Sequence, residues 1–484
     1  MRSLLVSSCL LLVAGVQAVG QADRPNLVFI LTDNQGDWTL GCYGNRDIRT
    51  PHIDALARGG MRFTNAFSVN AVCSPTRASF LTGLIPSQHG VHCWLGAGGA
   101  QMGAGAYCTI REFETLPKRL ARLGYACGLV GKWHLGGNLH PQEGFSYWIT
   151  KPHGHTTAFY DVPIIRDGRV ADEPRYTTEL WTDHACRFIR QNKDRPFFLF
   201  LAYNGPYGLG ASLLRPTRNR HAAAYAESEM PSFPRLSAHP WLHNNRQYLN
   251  NVQAMRRYAA ECSGVDDGVG EVMACLKGLG LDKRTLVVYS ADQGWGGGQH
   301  GIWGMGDHTR PLHAFDETMH VPLIFRWPGV VQAGATSDAM VSTCDWMPTL
   351  LALLEAGDMP AKPPSPGRDF SPILRGRKVD WEQVVYYEFE NTRAIRTADW
   401  KLIRRHPSGP DELYHLARDA GEANNLIGQA DHDRQQRELG HRLDAFFARY
   451  ADPQYDLWRG GRSKAGRILR SPAGTTRPAK GPPP

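Results

Sequence analysis

The chain has 484 residues, 42% of them hydrophobic and 21% charged, and a formal net charge of +8. This composition is that of an ordinary globular protein, and the length is sufficient for two domains. The positive charge is unevenly spread, because residues 459–484 include seven basic side chains and no acidic one. The rest of the chain is therefore close to neutral, which gives no reason to expect a nucleic acid partner.

The N-terminus has the pattern of a secretory signal peptide. A basic start, Met1-Arg2-Ser3, precedes an apolar run from Leu4 to Val16, and small residues follow. This run is too short to span a membrane, and no other run has the required length. We therefore predict a signal peptide over residues 1–22, a secreted or periplasmic protein, and no membrane span. Cys9 within the run leaves a lipid anchor as the alternative.

The chain contains ten cysteines, which are too few for a disulfide scaffold at this length. Export would permit disulfide bonds, although the sequence alone does not pair the cysteines. Cys93 and Cys108 are close enough in the sequence to form a local pair.

Two apolar runs rich in β-branched residues, 26–32 and 285–291, predict strands buried on both faces, as in a parallel sheet. Each run is followed by an acid, one or two amides and a glycine. Either ending alone is equally consistent with a simple turn. Together they would meet at the carboxyl edge of the sheet, where ligand sites form in open α/β sheets. Their oxygen atoms suit a hard cation such as Ca²⁺ or Mg²⁺. The predicted ligands are Asp33, Asn34, Asp292 and Gln293.

The stretch from Val72 to Gly83 predicts a loop that leads into a helix, because Pro75 favours a helix start and Gly83 a helix end. Cys73 would then lie at the helix N-terminus, where the backbone favours an anion. Arg77, one turn later, could bring its guanidinium back toward the cysteine. The alternative is a structural cysteine followed by a surface arginine.

A third strand, predicted over 126–131, is followed by Lys132 and His134. Two basic residues in alternate positions after a strand could face one anion. A basic surface turn is the alternative interpretation.

The remaining patterns predict an α/β fold with a large, mixed and mostly parallel sheet between helices. After a Pro-rich linker at 361–366, short strands and a charged helix indicate a small C-terminal subdomain with an antiparallel sheet. The predicted units are a catalytic domain at 23–360, this subdomain at 367–458, and a basic disordered tail at 459–484. The other predicted elements are helices at 50–58, 114–123, 258–276, 341–354 and 433–450, and strands at 61–67, 197–203, 321–325, 384–390, 392–397 and 400–404.

Two blocks of the sequence resemble the sulfatase family. The first is Cys73-x-Pro75-x-Arg77, which continues as Ala78-Ser79-x-x-Thr82-Gly83, and the second is Gly131-Lys132-Trp133-His134-Leu135-Gly136. In that family a separate maturation enzyme oxidises the cysteine to formylglycine, whose hydrated aldehyde is the nucleophile. The resemblance implies hydrolysis of sulfate esters through a covalent sulfo-enzyme.

The resemblance also implies a cofactor and roles for individual residues. One Ca²⁺ ion, with Mg²⁺ as the alternative, would be held by the four strand-end residues and by converted Cys73. Arg77 would steady the formylglycine, and His300 would donate a proton to the leaving group. Lys132, His134 and Arg310 would neutralise charge on the transferred group. The expected partners are a formylglycine-generating enzyme and a sulfated small molecule or polysaccharide.

Three positions depart from the family pattern: Asn34 replaces an aspartate, Tyr207 replaces a histidine, and Met305 replaces a lysine, for which Arg310 is the nearest substitute. These departures leave two alternatives open. One is a phosphodiester or phosphonate hydrolase on the same fold, and the other is a secreted carbohydrate-binding homologue that has lost catalysis. The variable loops 96–105 and 213–241 are predicted to set specificity.

Overall fold

The computed structural model describes residues 24–466 and 468–469. The predicted signal peptide lies outside the described residues. In chain order, the strands are β1 (Asn26–Asp33), β2 (Met61–Phe63), β3 (Ala66–Phe67), β4 (Ala126–Gly131), β5 (Tyr147–Thr150), β6 (Val162–Arg166), β7 (Arg169–Glu173), β8 (Phe197–Pro206), β9 (Thr285–Ala291), β10 (Gly296–Gly297), β11 (Trp303–Gly304), β12 (Leu323–Arg326), β13 (Ala335–Ser337), β14 (Val341–Ser342), β15 (Val384–Phe389), β16 (Thr392–Thr397), β17 (Trp400–Arg405) and β18 (Glu412–His415). The α-helices are α1 (Pro51–Arg58), α2 (Cys73–Thr82), α3 (Pro86–His89), α4 (Leu116–Arg122), α5 (Thr177–Gln191), α6 (Val252–Gly278), α7 (Asp316–Met319), α8 (Trp346–Leu353), α9 (Ser371–Leu374) and α10 (Asp433–Tyr450).

A ten-stranded sheet organises the larger part of the molecule, in the order β13-β2-β12-β9-β1-β8-β4-β5-β6-β7. The five central strands from β9 to β5 are parallel, and antiparallel pairings flank them on both sides. The predicted mixed, mostly parallel sheet is therefore confirmed. The central position of β1 places its carboxyl end between those of β8 and β9.

Helices cover both faces of this sheet. Along β1, Leu27, Phe29 and Leu31 pack into a core on one face that includes α2, α4 and α8. Val28 and Ile30 face the other side, where α1, α5 and α6 pack. This double burial explains why the β1 sequence is a continuous apolar run and not an alternating one.

The C-terminal subdomain is an antiparallel sheet in the order β15-β16-β17-β18, with the apolar face of α10 packed on it. It also contacts the larger domain through a buried charge network. Lys401 of β17 forms two ion pairs: its Nζ lies 2.5 Å from Asp316 Oδ1 of α7 and 2.6 Å from Glu422 Oε1. One lysine thus neutralises carboxylates from both parts of the chain.

Several sequence predictions need correction. The helix α5 and the β6–β7 hairpin were not predicted, and the helix expected at 341–354 is instead β14, a 3₁₀ turn and α8. Cys108 does not pair with Cys93, because its thiol is free and donates to Glu143 Oε1 at 3.5 Å.

Part of the segment predicted as a disordered tail is ordered. Residues 459–466 are packed against the larger domain, where Lys464 Nζ donates to the Thr109 carbonyl at 2.9 Å and Ala465 is buried. Within the described residues, no helix combines the length and apolar character needed to cross a membrane.

Replacing Lys401 with methionine should destabilise the protein by about 3–5 kcal/mol, because the buried Glu422 carboxylate would lose its cation and Asp316 would keep only Arg396. Urea unfolding followed by circular dichroism measures this change. Arg404→Gln is the matched control. Arg404 lies on the same strand as Lys401, and its side chain pairs with the exposed Asp444 at 2.9 Å. Its loss should cost less than about 1 kcal/mol. Equal losses in the two variants would contradict this account of the subdomain contact.

Candidate active site

The centre of the candidate site is formed by the ends of β1 and β9. Their parallel register pairs Thr32 with Ala291, so Asp33 and Asp292 emerge side by side. The backbone N–H of Asp292 donates to the Thr32 carbonyl at 3.0 Å, and that of Asn34 donates to Asp292 Oδ1 at 3.2 Å. Both carboxylates are fully buried. Burial and then the neighbouring Asp292 raise the pKa of Asp33 to about 6.

Cys73 is the first residue of α2, as its sequence predicts, and the helix ends at Gly83 with a left-handed φ of 70°. The Cys73 Sγ lies 3.5 Å from Asp33 Oδ1 and 3.5 Å from Gln293 Nε2. Burial and Asp33 raise the pKa of the Cys73 thiol. An unmodified thiol at this position is therefore neutral and a weak nucleophile at neutral pH.

Two buried cations balance the two carboxylates. Lys132 Nζ lies 2.5 Å from Asp33 Oδ2, and Arg77 donates to Asp292 Oδ2 from Nε at 3.0 Å and from Nη2 at 2.8 Å. The Arg77 Nη1 donates to the Lys132 carbonyl at 2.6 Å. The guanidinium was expected to fold back onto Cys73; the hydrogen bonds place it on Asp292 instead.

The amides of Asn34 and Gln293 complete the cluster. Gln293 Nε2 faces Asn34 Oδ1 and lies 3.5 Å from the Met305 sulfur. Its Oε1 is buried and has no hydrogen-bond partner among the described residues. Ligand atoms of Asp33, Cys73 and Asp292 lie within 4.8 Å of one another. Two carboxylates and an unsatisfied amide oxygen fit a hard cation such as Ca²⁺ or Mg²⁺.

His134 and Tyr207 form the wall next to this cluster. His134 Nε2 lies 2.9 Å from the Leu95 carbonyl, whereas its buried Nδ1 lacks a partner in the described part of the chain. Burial and then Lys132 lower the pKa of His134 well below its usual range, so the ring is neutral. Tyr207 has its ring centroid 5.5 Å from Lys132 Nζ, and its backbone N–H donates to the Asp33 carbonyl at 3.0 Å.

His300 and Arg310 make their contacts elsewhere. His300 Nε2 lies 2.7 Å from Glu317 Oε2, and its ring stacks on Phe315 with centroids 4.0 Å apart. Arg310 donates from Nη1 to the carbonyls of Asp307 and Thr309 at 2.6 and 2.7 Å. The hydrogen bonds of the described residues do not join either side chain to the Cys73 cluster.

One loop of the site was not predicted as functional. Residues 151–156 follow β5 and bring His155 beside Tyr207 and His134, with Lys151 Nζ donating to the His155 carbonyl. The signal was present in the sequence, because a lysine and two histidines occur within five residues after an aromatic strand.

The family models agree with this geometry. The model described as Sulfatase matches residues 25–356, and the one described as N-sulphoglucosamine sulphohydrolase, C-terminal, matches residues 301–449. The chain belongs to the sulfatase family. It is a sulfuric ester hydrolase with the fold of that family.

Its relatives include two sulfatases named for sugar substrates. An N-acetylglucosamine-6-O-sulfatase of Bacteroides thetaiotaomicron is 26% identical over 518 residues, covering 90% of this chain and 88% of the relative. An N-acetylgalactosamine-6-sulfatase of Mus musculus is 31% identical over 423 residues, covering 80% of this chain and 73% of the relative. A solved structure in complex with its substrate, D-glucosamine-2-N,6-O-disulfate, aligns with a TM-score of 0.70 and 26% identity over 88% of this chain and 98% of that one.

Calcium should raise the melting temperature of the sulfatase, because a cation that binds only the folded state stabilises it by about 2.7 kcal/mol at 100 times its Kd. Asp292→Asn should lose most of this shift while the fold is retained. Differential scanning fluorimetry with and without calcium measures both. Glu317→Gln, which alters the separate His300 cluster, is the control and should respond as the wild type does. A full calcium shift in Asp292→Asn would contradict a cation site at the strand ends.

Proposed function

We propose that this sulfatase removes the 6-O-sulfate group from N-acetylhexosamine units of sulfated carbohydrates, with formylglycine at position 73 and a divalent cation, Ca²⁺ or Mg²⁺. The observation that carries the proposal is the convergence of Asp33, Asp292 and Cys73 at one edge of the sheet. The sugar is supported by the relatives, since both named enzymes and the solved complex involve a 6-O-sulfated hexosamine. Export and a formylglycine-generating enzyme belong to the same proposal.

In this proposal the cation is held by Asp33, Asn34, Asp292, Gln293 and residue 73. When bound there, the ion supplies Lewis-acid polarisation of the sulfate oxygens and acidifies an oxygen nucleophile. Formylglycine supplies that nucleophile as its hydrate. The protein's own part is to hold these groups in one rigid arrangement, because every residue of α2 is buried.

Arg77 and Lys132 balance the charge of the two carboxylates and orient them. Arg77 donates from two nitrogen atoms to the single oxygen Oδ2 of Asp292, while Oδ1 accepts from the backbone N–H groups of Asn34 and Gln293. Lys132 lies at the end of β4 with its ammonium group on Asp33. From this position its charge also acts on an anion bound beside Cys73, and stabilises negative charge that develops during transfer.

Because the neutral ring of His134 donates from Nε2 to the Leu95 carbonyl, its partnerless Nδ1 is an acceptor, which suits it to a hydrogen bond from a hydroxyl group at the site, such as one of the formylglycine hydrate. His300 and Arg310 have no part in this proposal, because their contacts lie with Glu317 and with the backbone of their own loop.

The test is a substrate panel on the full chain, coexpressed with a formylglycine-generating enzyme. We expect the highest kcat/KM for N-acetylglucosamine-6-sulfate or N-acetylgalactosamine-6-sulfate, and slow hydrolysis of their 3- and 4-sulfate isomers. Cys73→Ala should lower kcat by at least about 10³-fold, because the nucleophile is lost. Faster hydrolysis of an aryl phosphodiester or phosphonate would replace the proposal with the phosphoryl alternative.

Mass spectrometry of the peptide that contains residue 73 tests the modification separately. We expect the mass of a peptide in which the CH₂–SH group has become CHO. An intact thiol in the protein from its own host, together with no turnover, would favour a carbohydrate-binding protein that has lost catalysis.

A further inference from the structure

Lys151 is a buried cation without an anionic partner. Only 3% of its surface is exposed, and Nζ donates to two neutral acceptors, the His155 carbonyl at 2.9 Å and Thr156 Oγ1 at 3.4 Å. Among the ion pairs of residues 24–466, Lys132 and Arg77 have carboxylate partners, whereas Lys151 has none. Burial and then Lys132 lower the pKa of Lys151 to about 7. A buried ammonium group without a carboxylate partner would be stabilised by an anion that binds next to it.

His155 lies next to His134 and Tyr207, which form the wall of the Cys73 cluster. Its ring centroid is 4.6 Å from that of Trp94 and 5.6 Å from that of His134. Its Nδ1 lies 3.4 Å from the Tyr207 hydroxyl. If that hydroxyl donates, the proton of the neutral ring is on Nε2, which then serves as a hydrogen-bond donor. Tyr207, which stands at the sequence position where the family pattern has a histidine, is thus in contact with a histidine from another loop.

The loop at 151–156 is fixed against the site. The backbone N–H of Gly154 donates to Gln101 Oε1 at 3.0 Å, and Asn138 Nδ2 donates to the Lys151 carbonyl at 3.0 Å. A Cβ atom at Gly154 would lie 2.0 Å from the His134 ring, so only glycine permits this approach. The rigidity of the loop gives Lys151 and His155 defined positions.

We propose that Lys151 and His155 bind the sulfate group of the substrate, and replace the histidine and lysine whose family positions Tyr207 and Met305 occupy. This role rests on the proposed function, because it takes the anion to be the sulfate ester that is hydrolysed beside Cys73. Lys151 supplies positive charge from the β5 side, and His155 supplies a neutral donor. Together with Lys132 they would present nitrogen donors to the anion from more than one side, which is the arrangement expected for a tetrahedral oxyanion.

Inorganic sulfate is the probe, because its binding to the full, calcium-loaded chain does not depend on maturation. Isothermal titration calorimetry gives its Kd. Lys151→Met, which keeps the length and volume of the side chain, should raise the Kd about 10- to 100-fold through loss of a charged hydrogen bond. His155→Phe, which keeps the ring, should raise it about 3- to 10-fold.

Two controls separate binding from folding. His184→Phe removes another buried histidine whose Nδ1 bonds a tyrosine hydroxyl, that of Tyr147 at 2.7 Å, and should leave the Kd unchanged. Lys118→Met removes a lysine that is paired with Glu143 at 2.9 Å outside the site and should also have no effect. If Lys151→Met fails to fold by circular dichroism, Lys151→Gln and His155→Phe carry the test.

The outcomes are distinguishable. Weaker sulfate binding in both loop variants, with unchanged controls, supports the inference even if no sulfated sugar is hydrolysed and the proposed function fails. Equal sulfate affinity in wild type and both variants overturns it, as does a wild-type chain that binds no sulfate. Unchanged KM and kcat for the 6-sulfated sugar in the loop variants would overturn it while leaving the proposed function in place.

Discussion

The site depends on two buried carboxylates held next to each other at the ends of parallel strands. Asp33 and Asp292 are adjacent because β1 and β9 are hydrogen-bonded in register, so backbone geometry alone prevents them from separating. Like charges in a buried position raise each other's energy. Every other charged group near Cys73 can be understood as a response to this pair. Lys132 and Arg77 neutralise it within the protein, and the amides and the cysteine leave an oxygen-rich space for a cation.

The elements that supply these groups are far apart in sequence but meet at one edge of the sheet. The acids follow β1 and β9, Lys132 follows β4, and the cysteine and arginine lie one turn apart at the start of α2. Since β1, β4, β8 and β9 are neighbours in a sheet covered on both faces, a change in register would move a whole group of ligands together. Of the three departures from the family pattern, Asn34 lies within this centre and the other two lie on its walls. Tyr207 and Met305 line it without contributing charge, and the loop at 151–156 brings an additional lysine.

The sequence predicted those elements whose ends are set by short-range patterns of apolar and polar residues. The strand ends at Asp33 and Asp292 followed from apolar runs interrupted by polar residues, and the start of α2 from Pro75. The helix α5 was not predicted, because its N-cap position is Tyr176 and no side-chain cap marks its start. The position of His155 beside His134 depends on packing between loops, which has no periodic signal. His300 was assigned to the site through the family resemblance. In the structure its backbone has a positive φ of 54°, and its ring lies against Glu317 and Phe315.

Anomalous diffraction from crystals of the full chain grown with calcium tests the central claim most directly. The account predicts an anomalous peak coordinated by the carboxylates of Asp33 and Asp292 beside residue 73, with Lys132 and Arg77 as neighbours of the ligands. A strand edge without a peak, or a peak at His300, Glu317 and Glu422 instead, would contradict it.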